Sequence, residues 1–137
     1  MGLSLEHAAI WVRDLEMMRR FYESALGGRA GSRYVNPATG FSSYFISFGS
    51  GARLELMARP DIPANRNDVK NEQHLGLIHL AFDAGSRASV DAFAALFAEK
   101  GYEVLRGPRV TGDGYYEFEA LDPEGNRIEI FAQPEPV

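Results

Sequence analysis

No cysteine occurs among the 137 residues, which excludes disulfides, thiolate metal ligands and cysteine nucleophiles. Lysine is scarce too: of 14 basic residues only Lys70 and Lys100 are lysines, so planar, fixed-charge arginine dominates the positive inventory. Any transition metal must therefore take nitrogen and oxygen ligands. No run of Lys or Arg supplies the positive field that phosphate backbones require, and the net charge is −5, so nucleic acid is not an expected partner. Nor does any apolar stretch approach the roughly 20 residues needed to cross a bilayer. The opening Met-Gly-Leu-Ser-Leu-Glu-His lacks a basic segment followed by an apolar one, and Glu6 stands where myristoylation needs Ser or Thr. A cytoplasmic protein without membrane contact is expected, and 45% hydrophobic content suffices for one compact domain with a real core.

What is present is a repeat. Arg53-Leu54-Glu55-Leu56-Met57-Ala58 returns near the end of the chain as Arg127-Ile128-Glu129-Ile130-Phe131-Ala132, and a His-containing strand precedes each copy, at His7 and at His79. The histidines are 79 − 7 = 72 residues apart and the glutamates 129 − 55 = 74. Element signals repeat in the same order. A strand over 5–13 leads to Asp14 as N-cap of a helix with Leu15, Met18, Phe21, Tyr22 and Ala25 on one face, stopped by Gly27-Gly28. A weak strand near 30–35 and strands over 42–49 and 52–59 complete βαβββ. In the second half a strand over 75–83 precedes a helix over 89–100 with Val90, Phe93, Leu96 and Phe97 inward. Gly101 stops it, and strands follow near 102–106, 114–121 and 127–133, the last two joined by Asp122-Pro123-Glu124-Gly125-Asn126. Pro60 to Gln73 reads as a connection by composition, either a plain surface segment or a flap over a site.

Strand parity sorts the side chains. Ala8, Ile10 and Val12 share the face that packs on the helix, leaving His7 and Trp11 opposite; Leu54 and Leu56 oppose Glu55, and Ile128 and Ile130 oppose Glu129. Ile78 and Leu80 likewise oppose His79. All four polar residues thus leave the helix-packing face and can converge. A mid-strand carboxylate among apolar neighbours is costly to bury unless a cation offsets its charge. Two imidazoles and two carboxylates suit a single divalent ion, with Zn, Ni or Co expected first and Mn or Fe as alternatives, and with positions open for water or substrate. Taken singly, each residue has a plainer reading: a structural, hydrogen-bonded His, or a Glu paired across strands with Arg53 or Arg127. His74, five residues before His79, is read as a loop or strand-edge residue.

With these residues assembled, the chain resembles the vicinal oxygen chelate superfamily, and within it glyoxalase I (lactoylglutathione lyase) and its relatives. The His7 strand, Asp14-Leu15 before Phe21-Tyr22, Leu26-Gly27, the Glu55 and His79 strands, Asp122-Pro123-Glu124-Gly125-Asn126 and Ile128-Glu129-Ile130 all match. The resemblance implies an α+β fold: two tandem βαβββ modules forming a curved, mostly antiparallel sheet around a metal site, with helices outside. The single domain would comprise module one (1–60), a linker (61–74) and module two (75–137). It implies His7, Glu55, His79 and Glu129 as metal ligands, Glu129 as the main base, Glu55 as a carboxylate on the opposite proton face, and a homodimer. The reaction implied is proton abstraction beside a carbonyl with metal stabilisation of an enediolate, on a small vicinal-oxygen carbonyl compound or its thiol adduct.

Where glyoxalase I recognises glutathione, this sequence departs. The family has Arg four residues after the first ligand and Asn four after the second, whereas this chain has Trp11 and Arg59. Trp11 can offer an aromatic wall and Arg59 a fork for an anion, against plainer readings of core packing and a strand-end salt bridge. Met57 and Phe131 are pocket-wall candidates or packing residues. Three other functions stay open: a non-catalytic drug-binding module like the bleomycin-resistance proteins, an extradiol-dioxygenase-like enzyme, and a thiol transferase like the fosfomycin-resistance proteins.

Overall fold

The computed structural model describes residues 1–136. The chain divides into two compact units, the first Met1–Asn65 and the second starting at Arg66. In the first unit β1 (His7–Trp11), α1 (Leu15–Ser24), β2 (Arg29–Ala30), β3 (Tyr34–Asn36), β4 (Phe41–Ser47) and β5 (Arg53–Ala58) follow in order. The path through its sheet is β1-β5-β4-β2, with β3 also paired to β4; β1 and β5 run parallel and the other pairs antiparallel. The weak strand expected near 30–35 is therefore two short pieces. Asp14 caps α1, its Oδ1 accepting the Met17 N–H at 3.0 Å, a contact worth about 1 kcal/mol. Met18, Phe21 and Tyr22 on the helix, with Ile46, Leu54 and Leu56 on the sheet, form the core of this unit. The Tyr44 hydroxyl donates to Glu16 at 2.6 Å, tying helix to sheet and holding that carboxyl below its ordinary range. Gly28 permits the close approach of chain after helix: a Cβ there would lie 2.5 Å from Ile46 Cγ2 and 2.9 Å from the Tyr22 carbonyl.

In the second unit β6 (Leu80–Asp83), α2 (Arg87–Lys100), β7 (Val104–Val110), β8 (Tyr116–Leu121) and β9 (Arg127–Ala132) give a four-stranded sheet in the order β6-β9-β8-β7. Only β6 and β9 are parallel. Ser86 caps α2 by accepting the Ser89 N–H at 3.1 Å, and Gly101, at φ 75°, ends it. Val90 and Phe97 meet Phe118, Ala120, Ile128 and Ile130 in a second core, with the Phe97 and Phe118 rings 5.4 Å apart. Both βαβββ units are thus realised, each with its own sheet and one helix. Neither helix is long and apolar enough to cross a membrane.

Two strand boundaries differ from expectation. The strand predicted over 75–83 begins only at Leu80, so His79 immediately precedes it. Leu80 pairs with Ile128, which sets His79 level with Arg127 at the first position of β9 and residues before 79 level with the turn ahead of it, where there is no ladder to join. The strand expected to stop at 106 continues to Val110, because Gly107-Pro108 is absorbed in an irregularity between Arg106 and Arg109 rather than ending the strand.

The segment read as a connection is held at its far end. Arg127, 4% exposed, donates from Nε to the Val69 carbonyl at 3.0 Å, from Nη1 to Gln73 Oε1 at 3.1 Å and from Nη2 to the Val69 carbonyl and, at 3.1 Å, the Glu72 carbonyl. A lysine cannot reproduce this fork. Arg127→Lys should therefore speed tryptic cleavage after Arg66 and Lys70 by roughly tenfold, equivalent to about 1.4 kcal/mol of easier local opening. Limited proteolysis followed by mass spectrometry reads this directly, and an unchanged rate would show that the guanidinium does not hold the segment.

Candidate functional site

Packing of one sheet face on a helix leaves the other face of each unit for chemistry. In the first unit that face carries His7 and Trp11 from β1, Glu55 and Met57 from β5, and Ser43 and Phe45 from β4. Parallel pairing sets Ala9 opposite Glu55, so His7 reaches it on the diagonal, with Nε2 3.7 Å from Glu55 Oε1. The ring of His7 meets Phe45 edge-on at 5.1 Å. Arg53 does not take the role of a cross-strand partner to Glu55. Its guanidinium hydrogen-bonds to Glu6, holding that carboxyl at about 2, and lies 4.2 Å over the Phe45 ring.

In the second unit the pattern recurs. Ala81 is opposite Glu129 in the parallel pair, and His79 Nε2 lies 3.6 Å from Glu129 Oε2. Arg127 makes no ion pair with Glu129, because its side chain is committed to the 69–73 segment. The start of β9 is set by Asp122. Its carboxylate accepts from the backbone N–H of Glu124 at 3.0 Å and of Asn126 at 2.9 Å, and from Asn126 Nδ2 at 2.8 Å. That closed turn fixes the register in which Glu129 arrives.

Beside Glu129 stand carboxylates that the sequence reading did not single out. Glu119 is directly opposite Glu129 in the antiparallel ladder, and Glu117 is opposite Phe131. Both are buried, with Arg106 Nη1 3.4 Å from Glu119 and Arg109 Nη2 3.6 Å from Glu117. Burial, then a hydrogen bond and repulsion from Glu117, and then the charges of Glu119 and Asp113, push Glu129 up to about 7. The alternation Tyr116-Glu117-Phe118-Glu119-Ala120 was the available signal: two glutamates on the face that Phe118 and Ala120 avoid. His79, Asp113, Tyr115, Glu117, Glu129 and Phe131 line a cleft of about 460 Å³, a size that suits a small molecule. Four carboxylates, Asp113, Glu117, Glu119 and Glu129, against the two guanidiniums of Arg106 and Arg109 leave net negative charge next to an imidazole, which fits a divalent cation chemically, since a cation removes the repulsion that otherwise favours protonation.

The remaining predicted residues are placed as follows. Trp11 is 40% exposed rather than packed in the core, edge-on to Phe41 at 6.0 Å, with the Arg59 guanidinium 5.3 Å over its ring. Arg59 also pairs with Asp61 at 2.5 Å, so its charge is partly spent just past the strand end. Met57 is opposite Trp11 and Ser43 in the sheet. Phe131 meets Tyr115 edge-on at 5.4 Å in the cleft wall, and His74 lies outside any strand.

This chain belongs to the glyoxalase/bleomycin resistance protein/dioxygenase superfamily, whose family model matches residues 4–130. It is 31% identical over 134 residues to the uncharacterized protein YqjT of Bacillus subtilis strain 168, covering 93% of this chain and 98% of that protein. Among solved structures, the glyoxylase/bleomycin resistance protein/dioxygenase domain from Frankia sp. EAN1pec superposes with a TM-score of 0.79 at 20% identity, over 96% of this chain and 98% of that one. The trypanothione-dependent glyoxalase I of Leishmania major does so with a TM-score of 0.74 at 20% identity, over 96% and 87%. At these identities the structural likeness is one of fold.

Gly107 tests how tightly the acidic strand is held. It adopts φ 86°, and a Cβ there would lie 2.5 Å from the Glu117 carbonyl and 2.9 Å from Phe118 Cα. Gly107→Ala should destabilise the protein by about 1–3 kcal/mol, through the left-handed backbone and the forced shift of β8. A urea melt with unchanged midpoint would show that β7 can relax away from Glu117.

Proposed function

We propose that the protein is a metal-dependent lyase or isomerase of the glyoxalase I type, acting on a small carbonyl compound with adjacent oxygens or on its thiol adduct. The observation that carries this reading is the repetition of one His–Glu arrangement in both units: His7 with Glu55 at 3.7 Å and His79 with Glu129 at 3.6 Å, each on the face turned from its helix. Each pair supplies one nitrogen and one oxygen donor, and the two half-sites together supply N2O2 for Zn, Ni, Co, Mn or Fe. When bound, the divalent ion supplies Lewis acidity to neighbouring substrate oxygens.

The chain's own groups then divide the work. Glu129 takes the proton from the carbon beside the carbonyl and holds it on a carboxylate oxygen, and Glu55 serves the opposite proton face. Phe131 and Tyr115 shield the cleft from water, and Met57 and Trp11 present an apolar wall. Arg59 over Trp11 supplies a cation for an anionic substituent. A binding-only module is the second reading, and the half-exposed Trp11 with its stacked Arg59 is the observation that favours it.

Elemental analysis of the purified protein, followed by assays with methylglyoxal and glutathione under several divalent metals, separates the two. Stoichiometric metal with turnover of a carbonyl substrate is the expected result. Glu129→Gln should lower kcat by roughly 10²–10⁴ while metal remains bound. Turnover undiminished in that variant would remove Glu129 as the base, and a protein that binds small aromatic anions yet takes up no metal would establish the binding-only reading.

A further inference from the structure

The duplication relating the two modules is unequal at one position. Glu55 and Glu129 are 129 − 55 = 74 residues apart, and the same step from Phe45, opposite Glu55 in β4, leads to Glu119, opposite Glu129 in β8. Where module one sets an aromatic ring beside its His–Glu pair, module two sets a third ligand-capable group. One donor atom from each of His79, Glu119 and Glu129 lies within 4.8 Å of the others. Like charges directly opposite in a ladder repel each other, and the guanidinium of Arg106 beside Glu119 offsets one of the two. Glu119 is only 8% exposed, and its Oε2 makes no hydrogen bond; Arg106 Nη1 stands 3.4 Å away without donating one. A buried, under-satisfied carboxylate in a group with an imidazole and a second carboxylate is a donor lacking its acceptor.

We propose that Glu119 is a third cation-binding carboxylate of module two, so that His79, Glu119 and Glu129 suffice to hold a divalent ion even when His7 and Glu55 are removed. This rests on the metal reading of His79 and Glu129 given above and adds to it a residue outside the four-ligand set. One imidazole and two carboxylates form a harder donor set than two of each, so Mn²⁺ gains relative to softer ions.

The full-length protein, stripped of metal by chelation, is titrated with Mn²⁺ by calorimetry, with the electron paramagnetic resonance signal of free Mn²⁺ as a second readout. The unmodified protein should bind one Mn²⁺ per chain. Glu119→Gln should weaken binding by at least about tenfold, and Glu119→Asp, which keeps a charge for Arg106, should weaken it too because the shorter side chain withdraws the oxygen. The double variant His7→Ala, Glu55→Ala should retain stoichiometric Mn²⁺, and Arg106→Met should bind at least as tightly as the unmodified chain. Circular dichroism melts establish that each variant is folded. Unchanged affinity in both folded Glu119 variants, or loss of Mn²⁺ in Arg106→Met, would overturn the role of Glu119. Loss in the double variant would overturn the self-sufficient module-two set while leaving the four-ligand site standing. An unmodified protein that binds none of Mn²⁺, Zn²⁺ and Ni²⁺ would remove both readings together.

Discussion

Glu129 sits between Ile128 and Ile130, which are pinned in the core beneath α2, and so its carboxylate is held on the opposite face of β9. A one-residue slip of that strand would put the carboxylate into the core and an isoleucine into the cleft, at a cost of several kcal/mol in desolvation alone. The same constraint acts on Glu55 between Leu54 and Leu56. Core packing on one face of a pleated sheet therefore aims the polar groups on the other. The Asp122 turn and the Arg127 fork stabilise that alignment from the end of the strand, where the helix does not reach.

Much of this could be read from the chain because it depends on periodicity. The caps at Asp14 and Gly101, the helices, and the sides taken by Glu55 and Glu129 follow from local pattern, which holds wherever a strand is half-buried. What escaped was non-local. The lack of a ladder for residues before 79 depends on the turn ahead of β9, and the persistence of β7 through Gly107-Pro108 depends on how β8 accommodates an irregularity. Glu117 and Glu119 escaped for a different reason: their positions in module one are Ser43 and Phe45, so a comparison seeking sameness between the halves passes over them. Arg127 was weighed as an ion-pair partner of Glu129, and only its engagement with carbonyls distant in sequence decides otherwise.

The halves are alike in backbone and unlike in electrostatics. Module one surrounds its His–Glu pair with Phe45, Met57 and Trp11, while module two surrounds its pair with Glu117, Glu119 and Asp113. An apolar wall favours the body of a substrate, and an acidic one favours a cation. The shared helix-packing face thus tolerates two different electrostatic surroundings on the face opposite it.

The Arg127 fork also bears on the segment that leads into the second unit. By holding Val69, Glu72 and Gln73, it ties the segment after Ala58 to the start of β9. A buried guanidinium two residues from Glu129 thus couples the connecting segment to the strand that carries the proposed base, so that releasing one loosens the other.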